Sequence, residues 1–315
     1  MSRTEDAIQV AGVTKAYRSF FRRNPIRALN QVDLKVRRGA AFGLAGPNGA
    51  GKTTLMKIMI GAVRPSSGSV ELFGWLARSA GAARLVGYLP ETCAFPPYLT
   101  ARQLLQFHGR LMGLGGRLIA NRAAELLDRV GLADWADVPL AKYSKGMVQR
   151  AGIAQAMLHE PELLILDEPT DGLDPAARVL VLDLLRTLNR SGVTLFINSH
   201  LLDELQSLCD EVAILNHGEI VKRECLASAA QAGYVLTLSA VPANVLLALA
   251  LRSQPVCDGD SGAVRLHFTS RVDLDWAIET VQNEGEGQIE SLAPAGRSLT
   301  EMFLSATAAK QGVRS

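Results

Sequence analysis

The sequence predicts an α/β fold: a parallel-sheet core carrying a mostly helical subdomain, followed by a small C-terminal α+β domain. Three observations predict it. Short apolar runs, "LLILDEP", "VTLFINS" and "EVAILNHGEIV", have the length and texture of strands covered on both faces. Between about residues 100 and 160 the apolar residues recur with helical spacing. After Val221 strands and helices alternate afresh up to residue 315.

The 315 residues suit one large and one small domain, at roughly 100–200 residues each. A hydrophobic content of 48% with 20% charged residues is enough to bury a core. The formal charge of +2 argues neither for nor against a polyanionic partner. Cys93, Cys209, Cys225 and Cys257 are dispersed, which fits reduced thiols better than a disulfide frame or a zinc site. The opening "MSRTEDAIQVAG" lacks the apolar stretch of a secretory signal. The longest apolar runs, such as "VLLALAL", fall far short of the ~20 residues that cross a bilayer.

In chain order, "AFGLAGPNGAGKTTLMKIMIGA" reads as a strand, a glycine-rich turn and a helix ending at Gly61, with Leu55, Ile58 and Met59 inward. "RPSSGSVELFGW" alternates as a strand after a turn. Thr100 and Gln103 make a capping-box pair ahead of Leu104, Leu105, His108, Leu111 and Met112. Ser144 stands as the N-cap of "QRAGIAQAML". "YVLTLSA", "AVRLHFT" and "GQIESLA" are strands of the last domain, separated by "PANVLLALALRSQ" and "VDLDWAIETVQ" as helices. Ser298 and Glu301 form a second capping box, ahead of inward Leu299, Met302 and Phe303.

"GPNGAGKTT" (Gly46, Pro47, Asn48, Gly49, Ala50, Gly51, Lys52, Thr53, Thr54) matches G-x-x-x-x-G-K-[ST] between a strand and a helix. Glycines let successive amides wrap phosphates, Lys52 reaches the β- and γ-phosphates, and the Thr53 hydroxyl suits magnesium. Asp167 ends the strand "LLILDEP" as the partner magnesium ligand. Glu168 beside it is placed to orient an attacking water as a general base. The helix that opens at Ser144 offers a second anion-binding N-terminus, about a hundred residues from the first.

Together, "GPNGAGKTT", "YSKGMVQR", "LLILDEPTDGLDP" and "NSH" in this order resemble the ATP-binding subunit of an ABC transporter, over residues 8 to about 221. That resemblance implies a P-loop NTPase core with an antiparallel β edge, ATP and Mg2+ as ligands, and a homodimer that docks on a membrane permease at the cytoplasmic face. It implies that Tyr17 stacks on adenine and that Thr54 joins Thr53 at the phosphates. His200, 32 residues beyond Glu168, becomes the histidine that touches the γ-phosphate. Ser144 and the Gly146 amide would face the ATP of a second subunit, and Asp174 of "GLDP" would contact that subunit. One chain then brings half of each site.

Two positions depart from the family. Lys145 stands where the signature has a glycine, either adding attraction for phosphate or facing solvent. Glu91 stands where a glutamine usually opens the loop after "LVGYLP"; by the resemblance a glutamate there would ligate metal and water while adding negative charge. The apolar loop "ETCAFPPYLT" reads as local packing or as the groove for a permease helix. "RSFFRRNPIR", with Arg18, Arg22, Arg23 and Arg27, reads as a solvated hairpin tip or a contact with anionic lipid. The "YSKGM" form and the C-terminal domain resemble exporters more than importers. The runner-up is a non-transport ABC ATPase with a regulatory or nucleic-acid role, but no long coiled-coil insertion or second cassette is present, and no nucleic acid is expected. "LNHGE" is not the N-K-x-D motif a GTPase would carry.

Overall fold

The computed structural model describes residues 5–17, 25–226, 233–256, 264–284, 288–294 and 299–308. The chain divides into two compact units, Met1–Glu224 with Ala306–Ser315, and Cys225–Ser305.

The first unit opens with β1 (Asp6–Tyr17), β2 (Ile26–Arg37), β3 (Ala41–Ala45) and α1 (Lys52–Met59). β4 (Ser67–Leu72), β5 (Trp75–Leu76), α2 (Ala80–Ala83) and β6 (Val86–Leu89) follow. Then come α3 (Ala101–Leu111), α4 (Gly116–Arg129), α5 (Lys145–Met157), β7 (Leu163–Asp167) and α6 (Pro175–Arg190). β8 (Thr194–Asn198), α7 (Leu202–Leu208), β9 (Glu211–Asn216) and β10 (Glu219–Cys225) complete it.

Two sheets result. β2-β1-β4-β5 is antiparallel. The second half of β2 alternates: Val32, Leu34 and Val36 are buried while Asp33 and Lys35 face water. The other sheet runs β10-β9-β3-β8-β7-β6, with β9-β3, β3-β8, β8-β7 and β7-β6 parallel. Every residue of β3, β7 and β8 is buried, which explains why these segments read as unbroken apolar runs. α1 turns Leu55, Met56, Ile58 and Met59 into the core between the sheets. Because the central strands are parallel, their C-terminal ends share one edge, and the loops that leave β3, β6, β7 and β8 emerge there.

The helical subdomain packs α3, α4 and α5 together. Thr100 and Gln103 form the expected reciprocal cap, and Ala101, Leu104, Leu105 and Gly109 make the inward stripe of α3. Leu111, also in helical register, is 69% exposed. α4 meets α3 closely at Gly109, where a Cβ would come within 2.7 Å of Ile119.

The second unit contains β11 (Tyr234–Ser239), α8 (Ala243–Ala250), β12 (Gln254–Val256), β13 (Val264–Phe268), α9 (Arg271–Glu284) and β14 (Gln288–Pro294). Its sheet order is β12-β13-β11-β14, every pair antiparallel. This is the βαββαβ arrangement of the ferredoxin-like motif. Leu236, Leu238, Leu266 and Phe268 of the sheet close a core with Val245, Leu249, Leu274, Ala277 and Val281 of the helices. β12 leaves no strand signal in the sequence, because it is three residues long and contains Pro255. α10 (Leu299–Ala308) follows, with Leu299 and Met302 buried. Ser298 of the expected cap, Cys257 and the arginines 18, 22 and 23 lie outside the described residues.

Candidate functional site

The first group of site residues stands where β3 gives way to α1. Gly46 and Gly51 are required by backbone crowding: a Cβ would come within 2.2 Å of the Leu215 carbonyl oxygen at Gly46, and within 2.4 Å of the Ala28 oxygen at Gly51. Gly51 also holds φ 112°, outside the range of ordinary side chains, and it is the N-cap of α1. The cap has no side-chain bond and the first turn holds no acid, so the leading amides of α1 face an anion site. Lys52 is buried and folds back to donate to the Gly46 oxygen at 2.6 Å and the Pro47 oxygen at 3.1 Å. Asn48, Gly49, Ala50, Thr53 and Thr54 line the same cavity of about 220 Å³, facing Glu91, Glu168 and Asn198 across it.

β7 and β8 supply the opposite wall. Asp167, the last residue of β7, is 1% exposed, and the Asn198 amide at the end of β8 donates to it at 2.5 Å. Burial pushes the Asp167 carboxyl above its ordinary range; the Asn198 bond opposes that and the charge of Glu91 adds to it. Glu168 follows in a left-handed conformation, φ 50°. Its amide donates to the Asn198 oxygen at 2.9 Å, and its carboxylate accepts from the His200 amide at 3.3 Å and lies 2.8 Å from His200 Nδ1. Burial pushes this carboxyl up as well, opposed by His200 and Lys52. Lys52 is pushed down by burial and drawn up by Glu168, Asp167 and Glu91. One lysine thus sits among three carboxylates, and the buried Asn198 Oδ1 has no hydrogen-bond partner. Oxygen donors are what a hard divalent cation takes, but among the described residues no three Asp, Glu, His or Cys side chains converge on one point that could hold it.

The signature residues gather elsewhere. Ser144 caps α5 and accepts from the Met147 amide at 3.3 Å. Lys145 bonds Asp171 of the same chain at 2.7 Å, so its ammonium is engaged locally; that bond also pulls the Asp171 carboxyl down. At Gly146 a Cβ would be 3.2 Å from Leu173, close to the turn leading into α6. Asp174 caps α6 by accepting from the Ala177 amide at 2.9 Å, with Pro175 behind it. A second cavity of about 400 Å³ lies between Glu91, Cys93, Tyr143, Lys145, Gln149 and Asp171. Neither Ser144 nor Gly146 lines the phosphate-loop cavity.

Tyr17 ends β1 half-exposed, with the Lys15 ammonium 4.9 Å above its ring, and it too lies outside that cavity's wall. Arg27 donates to Asn30. In the loop after β6, Tyr98 is 76% exposed while Phe95 is half-buried. Two residues that sequence reasoning did not single out matter here: Asn198, which holds Asp167, and Gln149, which touches Glu168. Asn198 opens the motif "NSH" and Gln149 lies within "YSKGMVQR", but those motifs assigned neither residue a role.

Residues 29–171 match the family model described as "ABC transporter". An uncharacterised ABC transporter ATP-binding protein of Nostoc is 41% identical over 221 residues, 69% of this chain and 66% of that protein. A daunorubicin resistance ATP-binding protein of Streptomyces coeruleorubidus is 40% identical over 69% of this chain and 67% of its own length. A Nod factor export ATP-binding protein of Ralstonia nicotianae is 39% identical over 59% of each. The match therefore spans about two thirds or less of these relatives' lengths. Among solved structures, a dimeric ATP-binding cassette in a post-hydrolysis state with ADP and Pi superposes with a TM-score of 0.64 at 25% identity, covering 70% of this chain and 98% of that one. The likeness read from four short motifs thus extends over more than two hundred residues and a whole cassette, and the chain belongs to the ATP-binding proteins of the ABC transporter family.

Proposed function

We propose that this chain hydrolyses ATP and couples the closure of a dimer to transport, in the export direction, through a separate membrane permease. The observation that carries the reading is one cavity in which the phosphate loop faces Glu168, with His200 bonded to that carboxylate. Triphosphate would draw Lys52 from the Gly46 and Pro47 oxygens and meet the leading amides of α1. Glu168 then orients water at the γ-phosphate; burial, by raising its proton affinity, makes it a better base, and His200 steadies it. Thr53, Asp167 and Glu91 would hold magnesium, which supplies neutralisation of phosphate charge. Thr54 joins the phosphate contacts, and Tyr17 the adenine.

Ser144, Gly146 and Asp174 are assigned to the ATP of a second subunit. Their separation from the phosphate-loop cavity within one chain supports that assignment. The exposed Tyr98 loop is assigned to the permease, and residues 222–315 to an accessory domain. Among the described residues no helix is long and apolar enough to cross a membrane, so attachment at the cytoplasmic face rests on the permease. Export is favoured by the Nod factor export and drug resistance relatives. Phosphate release from MgATP by the purified chain tests the chemistry. Turnover should vanish in Lys52→Ala, and a Lys52→Ala protein with undiminished turnover would overturn the reading.

A further inference from the structure

Gln149 lies on the inward side of α5, 3% exposed. A primary amide buried this deeply is costly unless its donors and its acceptor are used. Its Nε2 donates to the Glu168 carbonyl oxygen at 3.3 Å, and its Oε1 accepts from the Cys93 thiol at 3.8 Å. One side chain therefore reaches from the signature helix to the peptide of Glu168 and to the loop that carries Glu91.

Glu168 needs such a restraint. A non-glycine residue at positive φ costs on the order of 1–3 kcal/mol and persists only where its surroundings enforce it. Its amide is fixed by Asn198, its carboxylate by His200, and its carbonyl by the Asp171 amide at 3.2 Å together with Gln149. Of these partners, Gln149 alone belongs to α5; it ties the Glu168 peptide to the signature helix directly, beside the indirect route through Asp171 and Lys145.

We propose that Gln149 is a positioning residue for hydrolysis: it holds the Glu168 peptide in its left-handed conformation, and links that conformation to α5 and to the Cys93 loop. This rests on the reading of Glu168 as the base. The bland alternative is that the amide merely satisfies a polar gap in the core, in which case its loss weakens the fold and the chemistry alike.

The test compares Gln149→Leu, which keeps the bulk and removes the donor, in the native chain and in Glu168→Gln. The readouts are MgATP kinetics, nucleotide affinity and thermal midpoint. The expected result is a kcat lower by about tenfold or more with KM and affinity held within about twofold. In Glu168→Gln the added change should leave the residual rate unaltered, because the aimed group is already gone. An unchanged kcat, or an equal fractional loss in both backgrounds, overturns the proposal. Should Gln149→Leu fail to fold, Gln149→Met is read by the same two criteria. Should Glu168→Gln itself turn over normally, the base assignment falls and this inference with it, an outcome separable from failure of Gln149 alone.

Discussion

At Gly46 and Gly51 the phosphate loop passes so close to the backbone oxygens of Leu215 and Ala28 that a single methyl cannot fit. Gly49 also has positive φ, 79°, but nothing lies within 4 Å of where its Cβ would be. Gly46→Ala should therefore cost more than ~2 kcal/mol and abolish nucleotide binding, whereas Gly49→Ala should cost about 1 kcal/mol. Denaturant unfolding and nucleotide titration of the two variants check this; equal losses would mean that crowding is not what selects glycine. The Lys145–Asp171 pair is of a different kind, with side chains 60% and 39% exposed. Asp171→Asn should change the unfolding free energy by less than about 1 kcal/mol, since water screens such pairs. The glycines and Lys52 were legible because the motif is contiguous. The bonds Lys145–Asp171, Asn198–Asp167 and Gln149–Glu168 were not, because each joins residues 19 or more apart that only the fold brings together.

Among the elements, the helix starts are the most local features and were the most readable. Thr100→Ala should remove the reciprocal cap of α3 and cost about 1 kcal/mol, measurable by denaturant unfolding. A pH-dependent effect comes from His108 on α3 and His159 beyond α5, whose rings lie 6.4 Å apart. Both are pushed below their ordinary value of 6.5, chiefly by burial; His159 further lowers His108, and Arg122 further lowers His159 against the pull of its Val86 bond. The unfolded chain then takes up protons first as pH falls, so stability contributed by the neutral pair is lost on going from pH ~7 to below the ordinary histidine value. The thermal midpoint of His159→Gln should vary less with pH than that of the native chain across this range. A slope as steep as the native one would exclude the pair as its source. The sequence did not reveal this pairing: α3 showed a period and α5 only its cap, and neither states which residues of neighbouring elements face each other. β5 and α2 are two and four residues long, too short to show any period at all.

For the molecule as a whole, the two units have different jobs in the energetics. The phosphate-loop cavity is lined from the first unit alone, and the second closes its own core around Phe268, 0% exposed. Phe268→Ala should destabilise that core by about 3–5 kcal/mol. Nucleotide affinity should stay near native, and a parallel loss would show that the core of the second unit supports the site. The architecture of the first unit was readable because parallel buried strands leave unbroken apolar runs; what the second unit contributes was not, since its motifs carry packing and no chemistry. Under the proposed function, one chain brings half of each ATP site. Light scattering on Glu168→Gln with MgATP is the decisive measurement of that division. The mass should double on adding MgATP, and return to the single-chain mass when Ser144→Arg is introduced in the same protein. A doubled mass that survives Ser144→Arg would contradict the divided site, for the capping serine of α5 would then face no partner's nucleotide.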